Sequence, residues 1–189
     1  YNFRFGSGGK GDVELLKQLS QKFDYKLIVV PPILLDVNVI SSSLIRKYIQ
    51  EGQIKKANSY LGNPYSIYGR VIHGYGRGQQ LGFPTANLKF NHDKVIPKHG
   101  VYITRVYVDN RVYWGVTNVG RNPTFNSEGI NLETHLIDYN GNLYDKKMKV
   151  EFLYRLRGER VFSTVEDLKR QIGKDINYVK NFIYKHKSI

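Results

Sequence analysis

From Tyr65 onward, apolar residues recur at every second position, and this alternation constrains the fold more than any other feature of the sequence. A period of two places apolar side chains on one face of a β-strand and polar side chains on the other. Asp109 and Asn110 fit a tight turn between two such segments. Several strands at this spacing are typical of an antiparallel barrel. The segments that we predict as strands are 66–72, 100–108, 111–116, 134–138 and 148–156.

The sequence before these strands has mainly helical spacing. Asp12 can cap a helix whose apolar residues fall on one face. The apolar segment 26–30 predicts a buried strand. Two more helices follow, one that begins at about Ser42 and one over 54–61 that ends at Gly62.

These elements predict two domains. A helix, a strand and two helices do not close a domain, so we predict that residues 1–62 are the last part of an α/β domain. Residues 63–189 then form a second domain, the antiparallel barrel, and end in a helix for which Ser163 and Glu166 make a capping box. The predicted fold class is therefore α+β.

The composition limits the possible functions. The net charge of +13 favours polyanionic partners, which include nucleic acid, a membrane surface and small phosphorylated ligands. The absence of cysteine excludes disulfides, thiolate catalysis and thiolate metal sites. No apolar run approaches the ~20 residues of a membrane span, and we expect no signal peptide. We therefore expect a cytoplasmic protein with no membrane partner.

The segment 73–87 is the densest in chemical signals. Four of its glycines fall within nine residues, and such a turn lets backbone N–H groups approach an anion closely. A plain turn between strands is an equally good reading of the glycines alone. Thr85 and Asn87 add a hydroxyl and an amide oxygen two positions apart, so both face the same side of a strand as hard oxygen ligands for Mg²⁺.

Several separated motifs occur in the second predicted domain, at 82–87, 115–125, 133–136 and 156–159, together with Phe162. Together they resemble riboflavin kinases over about residues 63–185. Two motifs of the first part lie at 2–6 and 40–46. They resemble internal motifs of the FMN adenylyltransferase module of bacterial bifunctional FAD synthetases, so residues 1–62 resemble the C-terminal part of that module.

The resemblance implies a fold, an activity and a set of site residues. The fold would be a six-stranded antiparallel barrel with a C-terminal helix, preceded by a partial Rossmann-like nucleotidyltransferase unit. The activity would be transfer of the γ-phosphoryl group of ATP to the 5′-hydroxyl of riboflavin, which gives FMN and ADP with Mg²⁺ as cofactor. Glu133 would be the general base, and the metal ligands would be Thr85 and Asn87. The residues implied at the ATP phosphates are Gly76, Gly78, Gln79 and Thr85, and those implied at the flavin are Arg157 and Phe162.

Three details qualify these implications. Phe162 also fits a hydrophobic staple before the last helix, and that alternative stays open. Gly158 replaces the proline that usually follows the arginine of the family. We expect His135 to point to the strand face opposite Glu133 and to be structural.

A second departure concerns the adenylyltransferase module. That module holds ATP phosphates with a His-x-Gly-His element, which this sequence does not contain. We therefore expect this chain to lack FMN adenylyltransferase activity, with the first half of the module missing, although the longer parent protein would make FAD.

The alternative function is a basic barrel that binds single-stranded nucleic acid with exposed Tyr and Phe as stacking platforms. It accounts for the charge and for the aromatic residues, but it gives no reason for Thr85, Asn87 and Glu133 to occur together. We therefore expect riboflavin and ATP as partners and nucleic acid as an unlikely one, and the oligomeric state stays open.

Overall fold

The computed structural model describes residues 1–35, 37–91, 93–121 and 129–186, which fall into two compact units, Tyr1–Ser41 and Ser42–Ile189. The first unit contains helix α1 (Val13–Phe23) and a short hairpin of β1 (Leu34–Leu35) and β2 (Asn38–Val39). Asp12 caps α1 as predicted, because its Oδ1 accepts a hydrogen bond of 3.0 Å from the N–H of Leu15.

The strand predicted over 26–30 is wrong. These residues pair with no strand among the described residues, and Ile28 and Val30 are largely exposed. An apolar run forms a buried strand only where neighbouring strands satisfy its backbone. The prediction that this unit derives from a nucleotidyltransferase fold stays a prediction.

The second unit begins with two helices at the predicted positions, α2 (Ser42–Gln50) and α3 (Ile54–Leu61). Asn58 of α3 donates from Nδ2 to the carbonyl oxygen of Phe152 at 2.9 Å, and its Oδ1 accepts from the N–H of Tyr65 at 2.8 Å. These helices therefore lie in the same compact unit as the barrel. The predicted domain boundary after residue 62 stays a prediction.

The barrel has six antiparallel strands and is closed, as the resemblance implied, in the order β3-β4-β7-β6-β5-β8. Closure pairs each of these six strands with a neighbour on both sides. The strands are β3 (Ser66–Ile72), β4 (Ala86–Phe90), β5 (Gly100–Val108), β6 (Arg111–Arg121), β7 (Ile130–Leu136) and β8 (Lys147–Arg157).

Two strand predictions are wrong in their bounds. β6 continues five residues beyond 116, and β7 begins four residues before 134, because the two strands pair from Gly115↔Leu136 to Arg121↔Ile130. The turn at Asp109 and Asn110 is as predicted, since both residues have positive φ, at 50° and 59°.

Helix α5 (Val165–His186) packs on the outside of the barrel through a second apolar cluster, which includes Val101, Ile103 and Val179. Its capping box lies one residue later than predicted. The Oγ1 of Thr164, not of Ser163, accepts from the N–H of Asp167 at 3.1 Å and donates to the carboxylate of Asp167 at 2.9 Å. The barrel interior is filled separately, by residues such as Tyr102, Leu132 and Phe152.

Candidate active site

A cavity of about 650 Å³ lies between the barrel and α5. The Gly-rich turn, β4 and β7 contribute most of its polar and charged groups, and β6 adds Asn118 and Arg121. Apolar side chains come from α5, β5 and β6, and also from the Gly-rich segment. These apolar residues include Val101, Val116, Leu168, Ile172 and Ile176, with Leu81 and Phe83.

The Gly-rich turn forms one rim of this cavity, as the sequence predicted for an anion-binding turn. Gly76 has φ 68° and precedes a single helical turn, α4 (Arg77–Gln80). Gly78 lies against the strand that follows, because a Cβ atom there would be 2.9 Å from the Oγ1 of Thr85. Both glycines line the cavity and leave the hydroxyl of Thr85 accessible from the turn.

Thr85 and Asn87 line the same cavity, where β4 begins. The Oδ1 of Asn87 accepts a hydrogen bond of 3.3 Å from the Nδ2 of Asn131, and the amide of Asn87 lies against Gly74. A hydroxyl and a fixed amide oxygen side by side are hard, neutral donors that suit Mg²⁺, which usually keeps water and substrate phosphates as its other ligands. The residues predicted as metal ligands therefore fit that ion.

Glu133 lies directly opposite Asn87 in the pairing of β4 with β7. Its Oε1 accepts a hydrogen bond of 2.7 Å from the Nδ2 of Asn131. Burial raises the pKa of the Glu133 carboxyl, while the hydrogen bond from Asn131 and the charge of Arg77 act in the opposite direction. A carboxylate with a raised pKa beside two oxygen donors is suited to accept a proton from a hydroxyl group.

Arg157 also lines the cavity, at the end of β8, but its guanidinium is already held by Asp175 of α5. The Arg157 Nε and Nη2 donate to Asp175 Oδ2 at 3.0 and 2.7 Å, and the Nη1 donates to the carbonyl oxygen of Gly158 at 3.0 Å. Gln171 donates to the other carboxylate oxygen at 2.8 Å. Arg157 therefore enters the cavity as half of an ion pair.

Two other predicted residues lie elsewhere. Gln79 lines a second cavity of about 370 Å³, which shares Thr85 with the first and has walls from Tyr139, Leu143 and Tyr144. Phe162 is half-buried before α5 and lines neither cavity.

The expectation that His135 faces away from Glu133 is wrong. Residues two apart on a strand share a face, and both side chains line the cavity. The Nδ1 of His135 lies 2.9 Å from the carbonyl oxygen of Pro84, and its ring packs edge-on against Phe83. These contacts fit the structural role that we expected.

The cavity residues that sequence reasoning did not identify include Arg77, Asn131 and Asp175. Arg77 lies inside the Gly-rich segment, and Asn131 is two positions before Glu133 on the same strand, so both had a local signal. Asp175 falls between Ile172 and Ile176 on the apolar face of a helix, but its partner is 18 residues away and only the fold brings them together.

The closed barrel and its cavity define a small-molecule-binding domain, and comparison with known proteins identifies its family. The family model for flavokinase (riboflavin kinase) matches residues 61–183. The chain is 38% identical over 182 residues to a bifunctional riboflavin kinase/FMN adenylyltransferase of Haemophilus influenzae and 38% identical over 190 residues to one of Bacillus subtilis. Each match covers 96% of this chain but only 59% of the relative. The chain belongs to the riboflavin kinase family.

Two solved structures agree with the fold. A structure described as a macrolide-efflux protein from Streptococcus pneumoniae is 35% identical, with a TM-score of 0.85 over 96% of this chain and 58% of that one. Riboflavin kinase from Trypanosoma brucei is 22% identical, with a TM-score of 0.50 over 66% of this chain and 82% of that one. This second likeness shows the fold alone.

Within the described part of this chain, none of the helices combines the length and apolar character needed to cross a membrane. None of these comparisons supports the alternative of nucleic-acid binding.

Proposed function

We propose that this chain transfers the γ-phosphoryl group of ATP to the 5′-hydroxyl of riboflavin and so produces FMN and ADP. The observation that carries the proposal is the meeting of Thr85, Asn87 and Glu133 at one cavity. Phosphoryl transfer needs phosphates held by a cation, an aligned hydroxyl and a group that takes its proton. These three side chains supply donors for the cation and the proton acceptor.

The two adjoining cavities suit the two substrates. The apolar side chains of the larger one match a flat ring system, and the polar groups around Glu133 match the ribityl hydroxyls. The smaller one has aromatic and apolar walls that suit a nucleotide base. Because Thr85 lines both cavities, a nucleotide in the smaller one would direct its phosphates past Thr85 toward Glu133.

In the proposed reaction, Glu133 accepts the proton of the riboflavin 5′-hydroxyl as its oxygen bonds to the γ-phosphorus. The bond from that phosphorus to the bridging oxygen of ADP breaks. The hydrogen bond from Asn131 fixes the carboxylate toward the cavity. Burial raises the pKa of Glu133 and so makes it a better proton acceptor than an exposed carboxylate.

Thr85 and Asn87 would hold Mg²⁺, which when bound neutralises charge on the transferred phosphates. The residue suited to assist is Arg77, on the rim formed by the Gly-rich turn. Among the residues that the structure describes, Arg77 forms no ion pair, and its guanidinium lies 5.2 Å from the ring of Tyr75. Its charge is therefore available to a phosphate group.

The test is product analysis. The purified chain is incubated with riboflavin, ATP and Mg²⁺, and flavins are separated by chromatography. We expect FMN to accumulate at a rate that depends on ATP. A folded chain that produces no FMN would contradict the proposal. FAD among the products would contradict the separate expectation that this chain lacks adenylyltransferase activity.

A further inference from the structure

The ion pair of Arg157 with Asp175 lies in the wall of the cavity, and the proposed reaction does not use it. Asp175 is 4% exposed, and the side chain of Arg157 is 14% exposed. Both line the cavity beside Ile172 and Ile176. A charged pair is therefore built into the part of the wall where α5 contributes apolar side chains.

The pair is fully engaged within the protein. The guanidinium directs Nε and Nη2 to the carboxylate and Nη1 to the carbonyl oxygen of Gly158, and Gln171 completes the bonding of Asp175. A guanidinium that faces a carboxylate in this two-pronged geometry has little remaining attraction for another anion. At this ion pair the wall therefore carries polar groups but has little net charge.

The other cations of the cavity are held differently. Arg77 and Arg121 line it and form no ion pair among the described residues, although the charge of Arg77 acts on the nearby Glu133 carboxyl. Arg157 is instead held in two-pronged geometry by a buried carboxylate. The cavity therefore presents Arg157 as a neutralised cation and keeps Arg77 and Arg121 for contact with a charged group.

We propose that Asp175 is a specificity-determining residue, which neutralises Arg157 so that the wall formed by α5 accepts an uncharged ring and rejects phosphate. The identity of the ring as riboflavin rests on the proposed function, whereas the rejection of phosphate does not. Without the Asp175 charge, Arg157 would become a competing phosphate site beside the apolar residues of α5.

The first test uses Asp175→Asn, which keeps the shape of the side chain and removes its charge. Glu151→Gln is the matched control, because Glu151 is 5% exposed, pairs with Arg105 at 2.8 Å and with Lys149 at 2.6 Å, and lies outside this cavity. Thermal unfolding with and without inorganic phosphate measures anion binding. We expect phosphate to raise the Tm of Asp175→Asn more than that of the wild type or of Glu151→Gln. Equal phosphate effects in all three proteins would overturn the proposal, whether or not the chain binds flavin.

The second test compares riboflavin with FMN. Quenching of flavin fluorescence gives the Kd of each, and we expect the ratio of the two constants in Asp175→Asn to shift toward FMN by about tenfold relative to the wild type, as one new charged contact to phosphate would produce. A ratio that stays at the wild-type value, or that shifts equally in Glu151→Gln, would overturn the proposal. A wild type that binds neither flavin would instead count against the proposed function, and the phosphate test would still decide the role of Asp175.

A double variant provides a further check, also if Asp175→Asn does not fold. Arg157→Met with Asp175→Leu removes both charges, and apolar replacements of a buried ion pair are often tolerated. We expect its preference between riboflavin and FMN, and its response to phosphate, to return to the wild-type pattern. If Asp175 only fastened α5 to the barrel, removal of both charges would not restore the wild-type preference between riboflavin and FMN. A double variant that still favours anions would overturn the proposal.

Discussion

Replacement of Glu133 by Gln should lower the turnover of the enzyme without lowering the stability of its fold. The amide oxygen of Gln can still accept the 2.7 Å hydrogen bond from Asn131, so the geometry of the site is kept while the proton acceptor is lost. A positioned general base contributes about 10²–10⁴ in rate. At about 1.4 kcal/mol per factor of ten, this loss corresponds to roughly 3–5 kcal/mol of barrier. Turnover should therefore fall by that factor, while the Kd of riboflavin should change far less.

The stability of Glu133→Gln should move the other way at neutral pH. Because burial raises the pKa of Glu133, the folded chain binds this proton more tightly than the unfolded chain does. This tighter proton binding adds to the free energy of unfolding in full at pH values below the ordinary pKa of a glutamate. The added stability is lost as the pH rises through the raised pKa of Glu133 in the folded chain. Gln carries no charge at pH 7, so the variant should unfold at the same or a higher temperature than the wild type.

Steady-state FMN formation, flavin-binding titration and thermal unfolding of the same samples check this prediction. Glu151→Gln serves as the control, since it also changes a buried carboxylate to an amide but lies outside the cavity. Turnover within a factor of ten of the wild type would refute the assignment of Glu133 as general base. A large loss of turnover together with a large fall in Tm would refute the argument from burial.

Three further predictions concern neighbouring side chains. Thr85→Ala and Asn87→Ala each remove one oxygen donor, so the Mg²⁺ concentration for half-maximal FMN formation should rise, and an unchanged titration in both would reject them as ligands. Asn131→Leu removes the hydrogen bond that lowers the pKa of Glu133, so the acid limb of the plot of kcat against pH should move to higher pH; a limb that stays in place would contradict this. Arg77→Met should raise the KM for ATP at an unchanged Tm, because Arg77 is exposed, and an unchanged KM would show that its charge does not contact the nucleotide.

The sequence by itself determined the elements that depend on local chemistry. Alternation with a period of two predicted β3, β5 and β8 closely, since one face of each strand must be buried. The glycine after 54–61 marked the end of α3, and Asp12 marked the start of α1, because caps and left-handed turns are properties of a few adjacent residues. Motif resemblance supplied the six-stranded barrel and most of the candidate site.

Only the tertiary structure decided features that depend on residues far apart in the chain. The run at 26–30 has strand composition but pairs with no strand in the part of the chain that the structure describes, and the lengths of β6 and β7 are set by their mutual pairing. The amide of Asn131 joins Asn87 to Glu133 because β4 and β7 are neighbours in the closed barrel, although 44 residues separate the two asparagines. Asp175 has an unremarkable helical position in the sequence, and it acquires a role only where α5 packs its carboxylate against the guanidinium of Arg157. Local sequence encodes backbone preference and burial, whereas the choice of partner for a polar side chain is made by packing across the barrel.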